Sequence, residues 1–169
     1  MELPRVRIIA TGGTIDSSED YDPTQKSVFS PKGSYLPRML EEARVYGEAV
    51  SVEVITLKDS ADITLEDRNK ILERCRGASE TRIVVTHGTD TMTETAAFLG
   101  KNPPERKTVV LVGSMVPFSH EHSDAPFNLG YAIASAQQLQ PGIYVAMNGR
   151  VFDWNHVRKN RDKGIFETL

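Results

Sequence analysis

The chain has 169 residues, of which 39% are hydrophobic and 25% are charged, a composition typical of folded domains rather than disordered chains. Its formal net charge of -3 gives no electrostatic reason to expect a nucleic acid or an anionic membrane as a partner. No apolar run approaches the roughly 18 residues of a membrane span, and the N-terminus lacks a signal-peptide pattern. We therefore expect a single domain over residues 1–169 and a cytoplasmic location.

Strand and helix patterns alternate along the chain. Short apolar runs predict strands at residues 5–10, 52–55, 82–86, 109–112 and 143–147. Apolar residues at helical spacing predict helices at 36–43, from 65 onward with Thr64 as the N-cap, at 91–99 and at 127–139. Asn148-Gly149 is a hairpin signal. The alternation predicts an α/β fold, a three-layer sandwich with a mostly parallel sheet between helices.

Two hydroxyl-rich turns follow two of the predicted strands. Thr-Gly-Gly-Thr-Ile-Asp stands at 11–16, and Thr-His-Gly-Thr-Asp-Thr-Met-Thr-Glu-Thr stands at 86–95. Ligands of open parallel sheets bind beyond the carboxyl ends of the strands. We therefore expect both turns to face one crevice and to present threonine hydroxyls to a small substrate. A threonine hydroxyl becomes a nucleophile only when a neighbouring group activates it.

Each of these features also has a structural interpretation. Gly12-Gly13 fits neither the dinucleotide nor the P-loop pattern, but it fits a tight turn. Asp90 suits a helix cap as well as a polar pocket shared with Ser60-Ala61-Asp62. Lys159 lies in a basic segment, 155–161, that suits a solvated face, although a lysine beside a hydroxyl also serves as a base in serine–lysine enzymes.

Histidines and the cysteine give weaker signals. His120, Glu121, His122 and Asp124 are loop-borne and have no cysteine partner, so we expect no metal site. His87 follows a buried strand and is interpreted as a structural histidine. Cys75 belongs to a helical apolar stripe and is interpreted as a buried, inert thiol.

Six segments together resemble the L-asparaginase/glutaminase amidohydrolase family. They occur in the family's order, cover nearly the whole chain, and include two highly specific hydroxyl-rich motifs. The matching stretches are Ala10–Ile15, Asp59–Asp62, Thr86–Met92, Gly113–Pro117, Ser123–Leu129 and Val157–Lys159. The resemblance implies a fold equivalent to the N-terminal domain of asparaginases.

The resemblance also implies roles for individual residues. Thr14 would be the nucleophile and Tyr21 its activating partner, with Tyr35 as the alternative tyrosine. Tyr21 lies in the polar segment 17–34, which we expect to act as a mobile lid. A second catalytic group would consist of Thr89, Asp90 and Lys159, and the substrate would be held by Ser60, Asp62, Thr89 and Asp90.

These roles imply hydrolysis of L-asparagine to L-aspartate and ammonia through a threonine acyl-enzyme, without a cofactor. The usual family member has a second, C-terminal domain. This chain resembles either a short, single-domain asparaginase or a fragment of a longer one, and we favour the former. Two alternatives stay open: a non-catalytic amino-acid-binding domain, and an amidase domain of a transamidation complex. We also expect a homo-oligomer, with an exposed apolar patch formed by Val151, Phe152, Trp154, Ile165 and Phe166 as its interface. The alternative is that these residues pack under the last helix.

Overall fold

The computed structural model describes residues 4–17, 33–45 and 47–169, and within them a six-stranded sheet of order β2-β1-β3-β4-β5-β6. The first five strands are parallel, and β6 runs antiparallel to β5. Their bounds are β1 (Val6–Gly12), β2 (Val50–Lys58), β3 (Arg82–Thr86), β4 (Thr108–Val112), β5 (Gly142–Met147) and β6 (Arg150–Asp153). The predicted α/β fold with a mostly parallel sheet is confirmed.

Helices flank this sheet, and a second, two-stranded sheet is not paired with its strands. The helices are α1 (Leu36–Glu42), α2 (Leu65–Gly77), α3 (Met92–Lys101) and α4 (Ala125–Gln138). The second sheet pairs β7 (Val157–Asn160) with β8 (Ile165–Thr168) in antiparallel fashion. Among the described residues, no helix is both long and apolar enough to cross a bilayer.

The central strands are buried because they consist almost wholly of apolar residues. All five residues of β4 are buried, as are the last four of β3, whereas the residues of β2 at the sheet edge are partly exposed. Continuous apolar runs of this kind are typical of parallel strands covered on both faces. The core fixes the strand ends, and the strand ends position the turns that follow them.

The start of α2 is fixed by a capping box and an ion pair. Thr64 accepts a hydrogen bond from the Asp67 N–H, and the Asp67 carboxylate accepts one from the Thr64 N–H, as the predicted N-cap requires. Lys58 at the end of β2 lies 2.8 Å from the same carboxylate. Although desolvation opposes it, hydrogen bonding from Lys58 and Thr64 lowers the pKa of Asp67 to about 2.

A tight hairpin joins β5 to β6 at the predicted turn. Asn148 and Gly149 both have positive φ, 56° and 71°, as a type I′ turn requires. The Asn148 side chain also accepts a hydrogen bond from the Phe166 N–H at 3.0 Å. The hairpin turn therefore connects the main sheet to β8.

The expected apolar interface patch near the C-terminus is wrong. Phe152 and Phe166 are buried, with exposed fractions of 6% and 1%, and Val151, Trp154 and Ile165 are partly buried. The Trp154 indole packs directly against Gly100 of α3. Three short strands thus give these side chains intrachain partners, which the sequence pattern did not reveal.

Candidate active site

Three turns meet beyond the carboxyl ends of β1, β2 and β3. Because β1 lies between β2 and β3 in a parallel sheet, the three strand ends are neighbours on one edge. The segments that follow them are 13–16, 59–62 and 87–90. The structure therefore brings the two hydroxyl-rich turns and the Ser60 turn to one place.

Glycines allow the backbones of these turns to touch. Gly13 has φ of 85°, and its N–H donates to the Lys58 carbonyl at 2.9 Å. A Cβ on Gly13 would collide with the backbone of Gly88, and a Cβ on Gly88 would lie 2.8 Å from the Ser60 Oγ. The close approach explains why Gly12-Gly13 serves as a tight turn, and it places Thr14 and Thr89 on adjoining turns.

Thr14 opens a short 3₁₀ turn, Thr14–Asp16, and is partly buried. Its carbonyl accepts the Ser17 N–H at 3.1 Å. Ile15 and Asp16, which follow it, are buried and hold the turn in place. Thr14 is therefore anchored through its backbone and its neighbours.

Thr89, Asp90 and Lys159 form one hydrogen-bonded group. The Lys159 Nζ donates to the Thr89 Oγ1 at 2.8 Å and to the Asp90 Oδ1 at 2.7 Å. Thr89 is 6% exposed, and the Lys159 side chain is 11% exposed. Lys159 therefore does not lie on a solvated face, despite the basic residues around it in sequence.

Asp90 is an ion-pair partner and does not cap the helix. The N-cap of α3 is Thr91, and no side chain caps it. Arg161, which the sequence analysis did not single out, also donates to the Asp90 Oδ1 at 3.1 Å. The hydrogen bond from Lys159, with its positive charge and that of Arg161, lowers the pKa of Asp90.

Ser60 lies inside the site, whereas Asp62 lies at its surface. Ser60 is 3% exposed, and its carbonyl accepts the Thr91 hydroxyl at 2.6 Å, which links the β2 and β3 turns. Asp59 caps this turn by accepting the Ala61 N–H. Asp62 is exposed, and its side chain contacts none of the described site residues by a hydrogen bond.

Asp16 is a buried carboxylate that the sequence analysis missed. It is 1% exposed, and its Oδ1 accepts the Ser34 hydroxyl and the Tyr35 N–H, both at 2.8 Å. Its Oδ2 is buried without a hydrogen-bond partner among the described residues. Burial raises the pKa of Asp16 to about 6. Nothing in the local pattern distinguishes this residue from an ordinary turn aspartate.

Of the two candidate tyrosines, Tyr35 is among the described residues. Tyr21 and most of the predicted lid lie outside the described residues. Tyr35 is the N-cap of α1, and its ring lies 5.9 Å from that of Phe118. Its N–H bond to Asp16 links the start of α1 to the Thr14 turn.

His87 and Asp124 make structural contacts. His87 is fully buried, with Nδ1 2.8 Å from the Gly88 carbonyl and Nε2 2.9 Å from the Thr95 hydroxyl, and burial lowers its pKa to about 4. Asp124 accepts the N–H groups of Met115 and Val116. Across residues 4–17, 33–45 and 47–169, no group of three or more potential metal ligands comes together.

Fold and geometry define an α/β protein with a threonine–lysine–aspartate group at the carboxyl edge of a parallel sheet. Residues 5–165 match the family model described as Asparaginase, N-terminal. The chain is 34% identical to L-asparaginase 2 of Escherichia coli K12, over 98% of its own length and 49% of that relative. The chain belongs to the asparaginase family.

Other relatives and solved structures agree with this assignment. A glutamyl-tRNA(Gln) amidotransferase component of Methanococcus vannielii is 30% identical over 89% of the chain and 36% of that relative. A structure titled as a probable cytoplasmic L-asparaginase from Campylobacter jejuni superimposes with a TM-score of 0.82 at 27% identity, covering 98% of this chain and 53% of that one. The chain spans about half the length of the L-asparaginase 2 relative and of this structure.

Proposed function

We propose that residues 1–169 form an asparaginase-type catalytic domain that hydrolyses the side-chain amide of L-asparagine to L-aspartate and ammonia. The observation that carries this proposal is the 2.8 Å hydrogen bond from Lys159 to Thr89 beside the Thr14 turn. It joins a lysine to a hydroxyl on the turn that adjoins the Thr14 turn, which supports one shared site for the two threonines. Membership of the asparaginase family supports the choice of an amide as substrate.

In the proposed reaction, the Thr14 hydroxyl oxygen attacks the amide carbonyl carbon and gives up its proton. The carbon–nitrogen bond then breaks, and ammonia leaves with that proton. Water attacks the resulting ester, which releases aspartate and restores the Thr14 hydroxyl. Tyr21, or the Lys159–Thr89 pair when Lys159 is in its neutral form, accepts the proton, because threonine is a poor nucleophile without a base in reach.

Backbone N–H groups at the two turns would stabilise the oxyanion. The Gly13 N–H is already bonded to the Lys58 carbonyl, so we assign this role to the N–H groups of Thr14 and Thr89. Each donor aimed at a developing oxyanion contributes roughly 3 kcal/mol to the transition state. The assignment depends on the close contact between Gly13 and Gly88, which sets the two donors on adjoining backbones.

Substrate binding in this proposal uses the polar groups around the crevice. Ser60 and Thr89, both buried, bind the α-carboxylate through hydroxyl groups, and the Asp90 carboxylate binds the α-ammonium. Hydrogen bonds to charged groups are about twice as strong as those between neutral groups. Asp62 stays in the proposed set as an outer contact, because it belongs to the Ser60 turn.

Ammonia release from L-asparagine by the purified protein tests the proposal, with Thr14→Ala beside wild type. We expect the variant to lose roughly a thousand-fold or more in turnover, as loss of a nucleophile does, while its thermal unfolding is unchanged. Thr93→Ala, at a partly buried threonine of α3 to which no catalytic role is assigned, is the matched control. Retained activity in Thr14→Ala, together with loss in Thr89→Ala, would reverse the two assigned roles.

One alternative function has a specific observation in its favour. Similarity to a component of an amidotransferase supports the hypothesis of an amidase domain that works in a transamidation complex. Such a domain would release little ammonia alone and would retain a partner protein in a pull-down. The other alternative, a non-catalytic amino-acid-binding domain, would bind asparagine in pure, oligomeric protein and release no ammonia.

We further propose that the chain works as a homo-oligomer and in the cytoplasm. The Asp90 side chain is 48% exposed, so a neighbouring protomer's surface would be needed to exclude water from the site. Light scattering at micromolar concentration, combined with an activity assay over the same dilution series, tests the assembly. A fully active monomer would contradict it.

A further inference from the structure

Two cationic side chains, one from β7 and one from the residue after it, contact the same carboxylate oxygen. The Lys159 Nζ lies 2.7 Å from the Asp90 Oδ1, and an Arg161 guanidinium nitrogen lies 3.1 Å from the same oxygen. A second Arg161 nitrogen lies 3.5 Å from the Asp90 backbone oxygen. Among the described residues, Asp90 is the sole carboxylate paired with either cation. The cluster therefore carries one negative and two positive charges.

The two cations differ in how easily they can be displaced. Lys159 is 11% exposed and is also bonded to Thr89, whereas the Arg161 side chain is 68% exposed. A guanidinium stays charged at every physiological pH. A ligand that brings an ammonium to Asp90 must therefore compete with Arg161, since Arg161 is the more readily displaced partner of that carboxylate.

We propose that Arg161 is a specificity-determining residue that weakens binding of ligands with a free α-ammonium relative to ligands without one. The inference rests on the proposed function in one respect, because it takes Asp90 as the group that faces the ligand's α-amino position. Arg161 occupies part of the Asp90 carboxylate, and its charge repels an ammonium. The same charge attracts a ligand carboxylate, so small dicarboxylates and amides with an uncharged α-position are favoured.

Binding of L-aspartate and succinate tests this inference without any need for turnover. The two dicarboxylates differ only in the α-ammonium group. Isothermal titration of both ligands is carried out on wild type, Arg161→Met and Arg158→Met. Arg158 is the matched control, because it lies on the strand that leads to Arg161 and is 60% exposed, but pairs with Glu167 instead of Asp90.

In Arg161→Met we expect L-aspartate to bind about three- to five-fold more tightly, the upper part of the range for one exposed ion pair. Succinate binding should stay the same or weaken, so the affinity ratio of the two ligands shifts about three-fold or more. Arg158→Met should leave that ratio unchanged. An equal change for both ligands in Arg161→Met, an unchanged ratio, or no binding of either ligand to wild type would overturn the inference.

Failure of the inference is distinguishable from failure of the proposed function. A wild-type protein that releases no ammonia from asparagine, but shows the ratio shift in Arg161→Met, contradicts the catalytic proposal alone. Ammonia release with an unchanged ratio contradicts the role of Arg161 alone. Thermal unfolding of Arg161→Met should match that of Arg158→Met, because each substitution removes one exposed ion pair.

Discussion

The pKa values of two aspartates beside the threonine turns are shifted in opposite directions. Asp90 is half exposed and faces Lys159 and Arg161, which lower its pKa. Asp16 is buried with one unpaired oxygen among the described residues, and desolvation raises its pKa to about 6. Their neighbours in space set these charge states, and both follow from burial and from opposite charge.

Lys159→Met removes the proposed base while it keeps most of the length of the side chain. We expect turnover to fall about 10²- to 10⁴-fold, the usual contribution of a positioned acid or base. Global stability should change little, because Asp90 keeps Arg161 as a partner. Ammonia release and thermal unfolding measure the two effects, with Arg158→Met as the control. A wild-type rate in Lys159→Met would mean that Lys159 has only a structural role.

Asp16→Asn should change how stability depends on pH. The native state keeps the Asp16 proton up to about pH 6, whereas the unfolded chain loses it near pH 3.8. The native state thus binds more protons between these values, so this group's contribution to stability falls as pH rises through that window. As the pH rises from about 4 to about 7, the free energy of unfolding of Asp16→Asn should increase by about 2–3 kcal/mol relative to that of wild type.

Denaturant unfolding at several pH values measures this difference. Asp162→Asn, at an exposed position, serves as the control and should show no such gain. A pH-independent difference between Asp16→Asn and wild type would show that Asp16 titrates normally.

At the scale of elements, the site depends on how three strand-end turns approach each other. Parallel pairing of β1 with both β2 and β3 sets their carboxyl ends side by side. Gly13 and Gly88 then let the backbones touch, and the Thr91 hydroxyl bonds the Ser60 carbonyl across the same edge. The threonines of the site are thus positioned by backbone contact, which a small change in one turn would disturb.

Gly13→Ala should be strongly destabilising and should abolish activity. Its positive φ costs about 1–3 kcal/mol for any other residue, and its Cβ would also collide with Gly88. Gly47→Ala is the matched control, because Gly47 has φ of 78° and a Cβ added there would meet nothing within 4 Å.

The difference in unfolding free energy between these two variants isolates the cost of the collision. We expect Gly13→Ala to lose at least about 2 kcal/mol more than Gly47→Ala, as overpacking of a rigid site does. Equal losses would mean that the turns can separate without penalty.

At the scale of the whole molecule, the proposed catalysis depends on docking the C-terminal strands onto the main sheet. Lys159 reaches Thr89 across 70 residues of sequence. Its strand is held by Phe166 in the core, by Asn148 on the Phe166 N–H, and by Trp154 against Gly100 of α3. Loosening this contact should therefore move the proposed base.

Gly100→Ala tests this coupling, with Gly130→Ala as its control. Both glycines are helical, but a Cβ on Gly100 would collide with the Trp154 indole, whereas one on Gly130 would meet nothing within 4 Å. We expect Gly130→Ala to stabilise by about 0.5–1 kcal/mol through helix propensity. Gly100→Ala should destabilise by about 1–3 kcal/mol and should reduce ammonia release.

Trp154 is the single tryptophan of the chain, so its fluorescence reports the docking directly. A stabilised and fully active Gly100→Ala would show that packing of the C-terminal strands against α3 does not affect the proposed site. Circular dichroism should give the same order of stability for the two variants as fluorescence does.

The sequence alone determined the α/β class and the order of most elements. Buried parallel strands need continuous apolar runs, and helices between them need an apolar stripe, so both leave a local signal, as β3 and the Thr64 cap show. The Asn148-Gly149 hairpin was predicted for the same reason, since a type I′ turn restricts its residues. Helix α4 begins earlier than its apolar pattern, at Ala125, because Pro126 suits the first turn of a helix.

Tertiary structure alone decided which polar residues meet. Lys159 and Arg161 look alike in a basic segment. Both pair with Asp90, but Lys159 is largely covered and also bonds Thr89, whereas Arg161 is exposed. The burial of Asp16, and of Phe152 and Phe166 in place of an exposed patch, likewise depends on packing between distant segments. The charge state and burial of a residue depend on its neighbours in space. Short polar or apolar stretches have no local periodicity from which those neighbours could be predicted.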